Sequence, residues 1–180
     1  MADSLKLRET YAVTSELSTI YSGGPMCIGV DGKEGYFNGG DRINQVDLET
    51  GRILNTVPTT GELSAIAFHP ETRQLVYSSS AYLLVHFRLS ESKPAEFELQ
   101  RQWKGHQKPV TTLSFHPSGK FIASGSTDRT AKVWDLTGGF CTHHFKGHSG
   151  VVNFVKYKLF SIQNKYLFPI FFLLLDKYVI

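Results

Sequence analysis

Three side chains between positions 106 and 128 have the types that an acyl-transfer triad needs. His106, Ser124 and Asp128 could supply a base, a nucleophile and an acid that orients the base. The same three residues could instead form a buried relay of hydrogen bonds with Trp134, because a buried imidazole, hydroxyl and indole N–H each need a partner. Asp128 would then be the charged acceptor at the end of the relay. We favour the relay, since it also accounts for the tryptophan.

A second group of candidate ligands follows within a few residues. Cys141, His143, His144 and His148 are all metal-ligating types. Consecutive residues of a strand point to opposite faces, so His143 and His144 cannot readily hold the same ion. Cys27 lies far from Cys141 and makes no metal-binding spacing with it. We therefore expect no metal, no cofactor and no catalytic residue, and we expect that the chain is not an enzyme.

The stretch from Gly105 to Asp135 supplies the elements that would position the relay. Its short apolar segments predict strands at Val110–Phe115, Phe121–Ser124 and Thr130–Leu136, with turn residues between them. It opens on Gly-His and closes on Trp-Asp. This layout resembles one blade of a WD40 β-propeller. The resemblance implies that His106, Ser124, Asp128 and Trp134 form the structural tetrad of such a blade, that Trp134 and Asp135 are its WD dipeptide, and that Gly105 and His106 are its GH dipeptide.

Parts of the same pattern recur along the chain. A second GH dipeptide, Gly147-His148, lies 42 residues after the first. The first repeat has no tryptophan and no Gly-His, so it lacks the tetrad. We predict an all-β fold, a partial WD40 propeller of about three blades and the first strand of a fourth. The expected segments are a flexible N-terminus at 1–9, an incomplete propeller at 10–157 that begins with a leading strand, blades at about 26–57, 63–103 and 105–145, and the start of the next blade at 147–157.

The last 23 residues, 158–180, break the pattern. They contain no glycine and no Trp-Asp pair. The apolar run 167–175 includes a proline and is too short to span a bilayer, so we expect no membrane contact. We expect that this atypical hydrophobic tail lies outside the family fold and that the chain is a truncated product.

Composition and charge narrow the functional classes. With 180 residues, 41% of them hydrophobic and 13% aromatic, the chain suits a β-rich globular protein. The first 20 residues have no apolar signal core, which indicates an intracellular, reducing compartment. Residues 1–100 hold 8 Lys and Arg against 13 Asp and Glu, whereas residues 101–180 hold 11 against 3. A basic half can meet nucleic acid or an acidic partner, although no single run is dense enough to indicate this alone.

Four segments carry a narrower resemblance. Thr10–Val13, Ile20–Gly24, Ser80–Leu84 and Cys141–Val155 resemble the N-terminal part of the transducin-beta-like WD40 subunits of the small-subunit processome. The resemblance implies a nucleolar, non-enzymatic scaffold of the U3 small nucleolar ribonucleoprotein, acting in pre-rRNA processing and 18S rRNA maturation. Its partners would be other protein subunits, with pre-rRNA or snoRNA nearby and bound indirectly or through the basic surface, and with no small-molecule substrate.

A different class of function stays open beside this one. A generic WD40 adaptor for protein interaction, such as a ubiquitin-ligase substrate receptor or a signalling scaffold, would have the same blades. The Tyr-Ala-Val segment at 11–13 and the His-His-Phe segment at 143–145 favour the processome subunit, because a generic adaptor would not share them.

Overall fold

The computed structural model describes residues 20–29, 32–90, 96–158, 161–162, 165–166 and 170–174. All regular secondary structure in these ranges is β-strand. Within them there is no helix of the length and apolarity that crossing a membrane requires. The flexible N-terminus expected at 1–9 and the leading strand expected from residue 10 lie outside the described residues, apart from Ile20.

Three four-stranded antiparallel sheets make up the core of the described fold, and in each the spatial order of the strands follows the sequence. Blade 1 contains β1 Met26–Ile28, β2 Glu34–Asn38, β3 Arg42–Asp47 and β4 Ile53–Pro58. Blade 2 contains β5 Leu63–His69, β6 Gln74–Ser79, β7 Leu83–Leu89 and β8 Phe97–Lys104. Blade 3 contains β9 Val110–Phe115, β10 Phe121–Ser126, β11 Ala131–Asp135 and β12 Phe140–Phe145. The sheets confirm the predicted partial propeller.

A further strand, β13 Phe154–Lys158, follows blade 3 and packs beside β9. It lies mostly within 147–157, where the sequence predicted the start of the next blade. No strand was predicted in the tail, yet β14 Ser161–Ile162 pairs with β15 Lys165–Tyr166, and β16 Ile170–Leu174 pairs with β13. An apolar run can form a strand without flanking turn residues when a distant strand offers it hydrogen bonds.

The hydrophobic cores lie between neighbouring blades. Alternate residues of a strand point to the same face of the sheet, and residues paired across strands share a face. Tyr36, Ile43 and Val57 of blade 1 therefore meet one face of blade 2. The opposite face of blade 2 meets blade 3, and the opposite face of blade 3 meets the segment that leads into β13. The core between blades 2 and 3 includes Val76, Leu84, Val110, Ile122 and Trp134. The core beyond blade 3 includes Ala123, Ala131, Val133, Val152 and Val155.

The loops of the three sheets fall at two ends. The β4–β5 and β8–β9 connections share one end with the β2–β3, β6–β7 and β10–β11 turns, which we call the upper edge. The remaining connections within each blade lie at the opposite, lower edge. His106 and Asp128 both belong to the upper edge of blade 3, although 22 residues separate them.

Packing between blades makes a testable difference between two leucines. Leu75 is 0% exposed in the core between blades 1 and 2, whereas Leu99 on β8 is 55% exposed. Leu75→Ala should lower the free energy of unfolding by about 2–5 kcal/mol, because it removes buried methyl groups and leaves a cavity. Leu99→Ala should change it by less than about 0.5 kcal/mol. Urea unfolding followed by tryptophan fluorescence measures both, and equal effects would contradict the placement of the core.

Candidate functional site

The structure brings His106, Ser124, Asp128 and Trp134 into one chain of hydrogen bonds. His106 follows β8, Ser124 lies on β10, Asp128 occupies the β10–β11 turn and Trp134 lies on β11. The indole Nε1 of Trp134 donates to Ser124 Oγ at 2.8 Å. Ser124 Oγ lies 2.7 Å from His106 Nε2, and His106 Nδ1 lies 2.9 Å from Asp128 Oδ2. Four strand and loop segments are thereby joined through side chains.

The direction of the relay follows from its two ends. An indole N–H can donate but cannot accept, whereas an ionised carboxylate can only accept. Asp128 can only accept, so the proton of the neutral imidazole sits on Nδ1 and is donated to Asp128. His106 Nε2 then carries no proton and accepts from the Ser124 hydroxyl, which in turn accepts from Trp134. The two inner members, Ser124 and His106, each donate one bond and accept one in the same sense along the chain.

The charge states of His106 and Asp128 suit that direction. Burial lowers the pKa of His106 more than the hydrogen bond and charge of Asp128 raise it, so the imidazole is neutral. Partial burial raises the pKa of Asp128, but hydrogen bonds from the Thr130 hydroxyl, the Gln107 N–H and His106 outweigh it and bring that pKa down to about 2. The carboxylate therefore stays ionised over the physiological range.

Gly105 and Lys132 hold the loop that carries His106. A Cβ at Gly105 would lie 2.6 Å from a methyl carbon of Leu84 in blade 2 and 3.6 Å from the ring of Trp134. The close approach of the loop to Leu84 therefore depends on the absence of a side chain at 105, whereas the distance to Trp134 is an ordinary contact. Lys132 Nζ donates to the Gly105 carbonyl at 2.7 Å and lies 5.5 Å from the centre of the Trp134 ring. The GH dipeptide thus sits at the seam of two blades.

The burial of Ser124 decides against its use as a nucleophile. The distances from Ser124 to His106 and from His106 to Asp128 are those of a catalytic triad. Ser124, however, is 0% exposed, and its oxygen already accepts the indole N–H. A substrate cannot reach that hydroxyl without opening the blade. The geometry therefore suits a structural relay.

Blade 2 has a different contact at the same place, which the sequence analysis missed. Tyr77 on β6 occupies the strand position of Ser124, and Phe87 on β7 occupies that of Trp134. Their rings are near-parallel with centres 6.1 Å apart. The Tyr77 hydroxyl accepts from the backbone N–H of Thr60 at 3.3 Å, and Thr60 follows β4 as His106 follows β8. Aligning 74–79 with 121–126 in the sequence would have revealed this exchange.

The aspartates that end β3 and β11 close turns at the lower edge. Asp135 Oδ1 accepts the N–H groups of Thr137 and Gly138, both at 2.8 Å. Asp47 accepts the N–H of Glu49 at 2.8 Å and the hydroxyl of Thr50 at 2.8 Å, and these bonds, with that of Thr50 first, lower its pKa. The aspartate of the Trp-Asp pair therefore fixes the turn that follows, and blade 1 has the same device without the tryptophan.

The second GH dipeptide differs in geometry from the first. Gly147 follows β12 with φ of +104°, and His148 is half-buried. Burial lowers the pKa of His148, and its Nε2 is buried without a hydrogen-bond partner among the described residues. Val152 N–H donates to the Ser126 carbonyl at 3.2 Å, which seats this segment against blade 3.

The Cys141 to His148 group is not gathered around one point. His143 stacks on Phe145 with ring planes 7° apart, whereas His144 lies opposite Lys132 across the strand pair. Burial and the charges of Lys132 and Lys146 lower the pKa of His144. No group of three or more metal-ligating side chains occurs in the described part of the chain.

A buried histidine on β7 joins blades 2 and 3 at the lower edge, and the sequence analysis also missed it. His86 is 5% exposed, and its Nε2 donates to Gln74 Oε1 at 2.8 Å. Gln74 Nε2 in turn donates to the Gly119 carbonyl of blade 3 at 3.1 Å. Burial, together with the charges of Arg101 and Arg88, lowers the pKa of His86 to about 4. A histidine within the apolar strand 83–89 was the available signal.

Comparison with known proteins adds a family and several relatives. The WD40 family, described as WD domain, G-beta repeat, matches residues 97–135. Transducin beta-like protein 3 of Bos taurus is 30% identical over 155 residues, which is 84% of this chain and 19% of that protein. U3 small nucleolar RNA-associated protein 13 of Saccharomyces cerevisiae is 32% identical over 121 residues, or 65% of this chain and 14% of that protein. Nuclear distribution protein PAC1 of Debaryomyces hansenii is 41% identical over 66 residues, or 33% of this chain and 12% of that protein. The chain spans about a fifth of the length of the bovine relative.

We expect that breaking the relay lowers the stability of the fold. Asp128→Ala removes the acceptor of the buried His106 N–H and should cost about 1–3 kcal/mol of unfolding free energy. Asp41→Ala is the matched control, because Asp41 occupies an upper-edge turn of blade 1 but is exposed and pairs with Arg42. It should cost far less, because solvent screens an exposed ion pair. Chemical unfolding of both variants measures the difference, and an Asp128→Ala protein as stable as the parent would falsify the structural role.

Acid should destabilise the protein through its buried histidines. The pKa of His86 is about 4 when folded, below its ordinary value of 6.5, and that of His106 is shifted in the same direction. The unfolded chain therefore binds more protons between these values, so the stabilisation is complete above pH 6.5 and is lost as the pH falls towards 4. The thermal midpoint should fall between pH 7 and pH 5. His86→Gln should reduce that fall, whereas the exposed control His143→Gln should leave it nearly unchanged; equal pH profiles for all three proteins would exclude this role of His86.

Proposed function

Since the chain is a member of the WD40-repeat family, we propose that it is a non-enzymatic scaffold of the small-subunit processome, acting in pre-rRNA processing and 18S rRNA maturation. The observation that carries the proposal is the pair of relatives that match most of its length, a transducin beta-like protein and a U3 small nucleolar RNA-associated protein. In this proposal the chain works in the nucleolus, and its partners are protein subunits of the U3 small nucleolar ribonucleoprotein.

The contents of the fold support a scaffold. The polar side chains that resemble a catalytic group, Ser124 and His106, are buried and engaged with each other. The interior of each described blade is filled by side chains that join it to the next blade. The upper and lower edges, which carry most of the loops, remain as surface for partners.

A generic WD40 adaptor is the second candidate, and one relative favours it. The nuclear distribution protein is more identical than the other two, but the match covers only 33% of this chain. A match confined to so short a stretch is expected between any two proteins that share a WD40 repeat. The matches to the other two relatives cover 84% and 65% of the chain, which favours the processome scaffold.

Affinity purification from the source cells distinguishes the two candidates. The chain is tagged at its own locus and purified at physiological salt, and the amount of U3 RNA is measured against a small nucleolar RNA of another class. A processome scaffold should enrich U3 over that control RNA, and depletion of the protein should cause 18S precursors to accumulate. Recovery of ubiquitin-ligase subunits without U3 enrichment would replace the proposal with the adaptor.

A further inference from the structure

Four cations lie on the upper edge, three on blade 3 or the loop that leads into it and one at the end of blade 2, and we call them the basic edge. Lys104 ends β8, Lys108 lies in the β8–β9 loop, Arg129 lies in the β10–β11 turn and Lys146 follows β12. All four are exposed. They come from separate segments of the chain, so no short run of basic residues in the sequence indicates them.

The relay brings these loops together. Asp128, next to Arg129, accepts the backbone N–H of Gln107 at 3.2 Å, which ties the β10–β11 turn to the β8–β9 loop. Lys132 binds the carbonyl of Gly105, next to Lys104. Lys146 directly follows β12, and β12 ends at the same edge. The positions of the four cations are thus fixed by the fold of the blade.

The basic edge has little negative charge to neutralise it. Its carboxylate, Asp128, is ionised and bonded to His106 and to the hydroxyl of Thr130 at 2.6 Å, so one negative charge stands against four positive ones. Within the described residues, none of the four cations lies at ion-pair distance from a carboxylate. The upper edge of blade 1 is different, since Arg42 there pairs with Asp41 at 2.8 Å. The excess positive charge therefore lies at blade 3 and its junction with blade 2, not at blade 1.

We infer that the basic edge binds the phosphate backbone of single-stranded RNA. Lys104 and Lys146 lie at the ends of the outer strands of two neighbouring blades, and Lys108 lies close to the innermost strand of blade 3. Cations placed at or beside both the first and the last strands of neighbouring blades suit a polymer that repeats its charge. A single acidic side chain would instead need cations that converge on one point. Three of the four are lysines, which bind phosphates as point charges. The choice of RNA over an acidic protein rests on the proposed function.

Binding through phosphates has a measurable salt dependence. Each contact with single-stranded nucleic acid contributes about 0.7 to the slope of log affinity against log salt. The probe is a fluorescein-labelled oligouridine of about 12 nucleotides, long enough for a site of this kind. Fluorescence anisotropy with the whole chain, over a series of salt concentrations, gives the affinity and the slope.

Two double variants make a matched comparison. Lys108→Gln with Lys146→Gln removes two charges from the basic edge, and Arg52→Gln with Lys120→Gln removes two exposed charges from the lower edge. The first should weaken oligouridine binding and lower the salt slope by about 1.4, from two contacts of about 0.7 each. The second should bind like the parent. Cross-linking with 4-thiouridine in the probe should label peptides near residues 104–108 and 144–148.

Several outcomes would overturn the inference. One is a salt slope that the basic-edge variant shares with the parent. Another is cross-linking confined to the lower edge. A third is polyglutamate of equal length that binds as tightly as oligouridine and with the same slope, since the edge would then suit an acidic protein. Failure of the proposed function looks different: oligouridine would bind normally, but U3 would not co-purify with the tagged chain.

Discussion

Burial between neighbouring sheets is the constraint on which the rest of this structure depends. Adjacent residues of one strand serve two different cores: Leu75 faces blade 1, and Val76 faces blade 3. Ile122 and Ala123 repeat this arrangement in blade 3. A sheet that is buried on both faces cannot be stable without its neighbours, which explains why successive residues such as Leu75 and Val76 are both apolar. The stability of any one blade therefore depends on the neighbouring blade that shares its core.

The relay of blade 3 adds a polar connection to this apolar packing. His106 lies in the loop that links two blades, so its bonds to Ser124 and Asp128 attach the connection to the interior of the second blade. In blade 2 the Tyr77 hydroxyl reaches the matching loop at Thr60. Two different chemistries thus attach the connecting loop to the blade that follows it. A blade can lose the Gly-His and Trp-Asp signature and still secure its loop.

Local signals in the sequence predicted the first three strands of blade 3 to within two residues, because turn residues separate its apolar segments. The structure also places the four side chains of the predicted relay in one chain of bonds. Two features were missed because they depend on contacts that spacing does not reveal. One is the bridge from His86 through Gln74 to blade 3, and the other is the contact between Tyr77 and Thr60. The pairing of β16 with β13 is also non-local, and no turn residue announces it.

The family match begins at 97, the first residue of β8, and ends at 135, the last residue of β11. The inherited unit is therefore the outer strand of one blade together with the three inner strands of the next, and it is out of phase with the folded sheet. A gene duplication that copies this unit supplies the preceding blade with its fourth strand and leaves its own to be supplied by the unit that follows. The outer strand of each new copy pairs through main-chain hydrogen bonds with the blade before it. The number of blades can therefore change during evolution without a new kind of contact between blades.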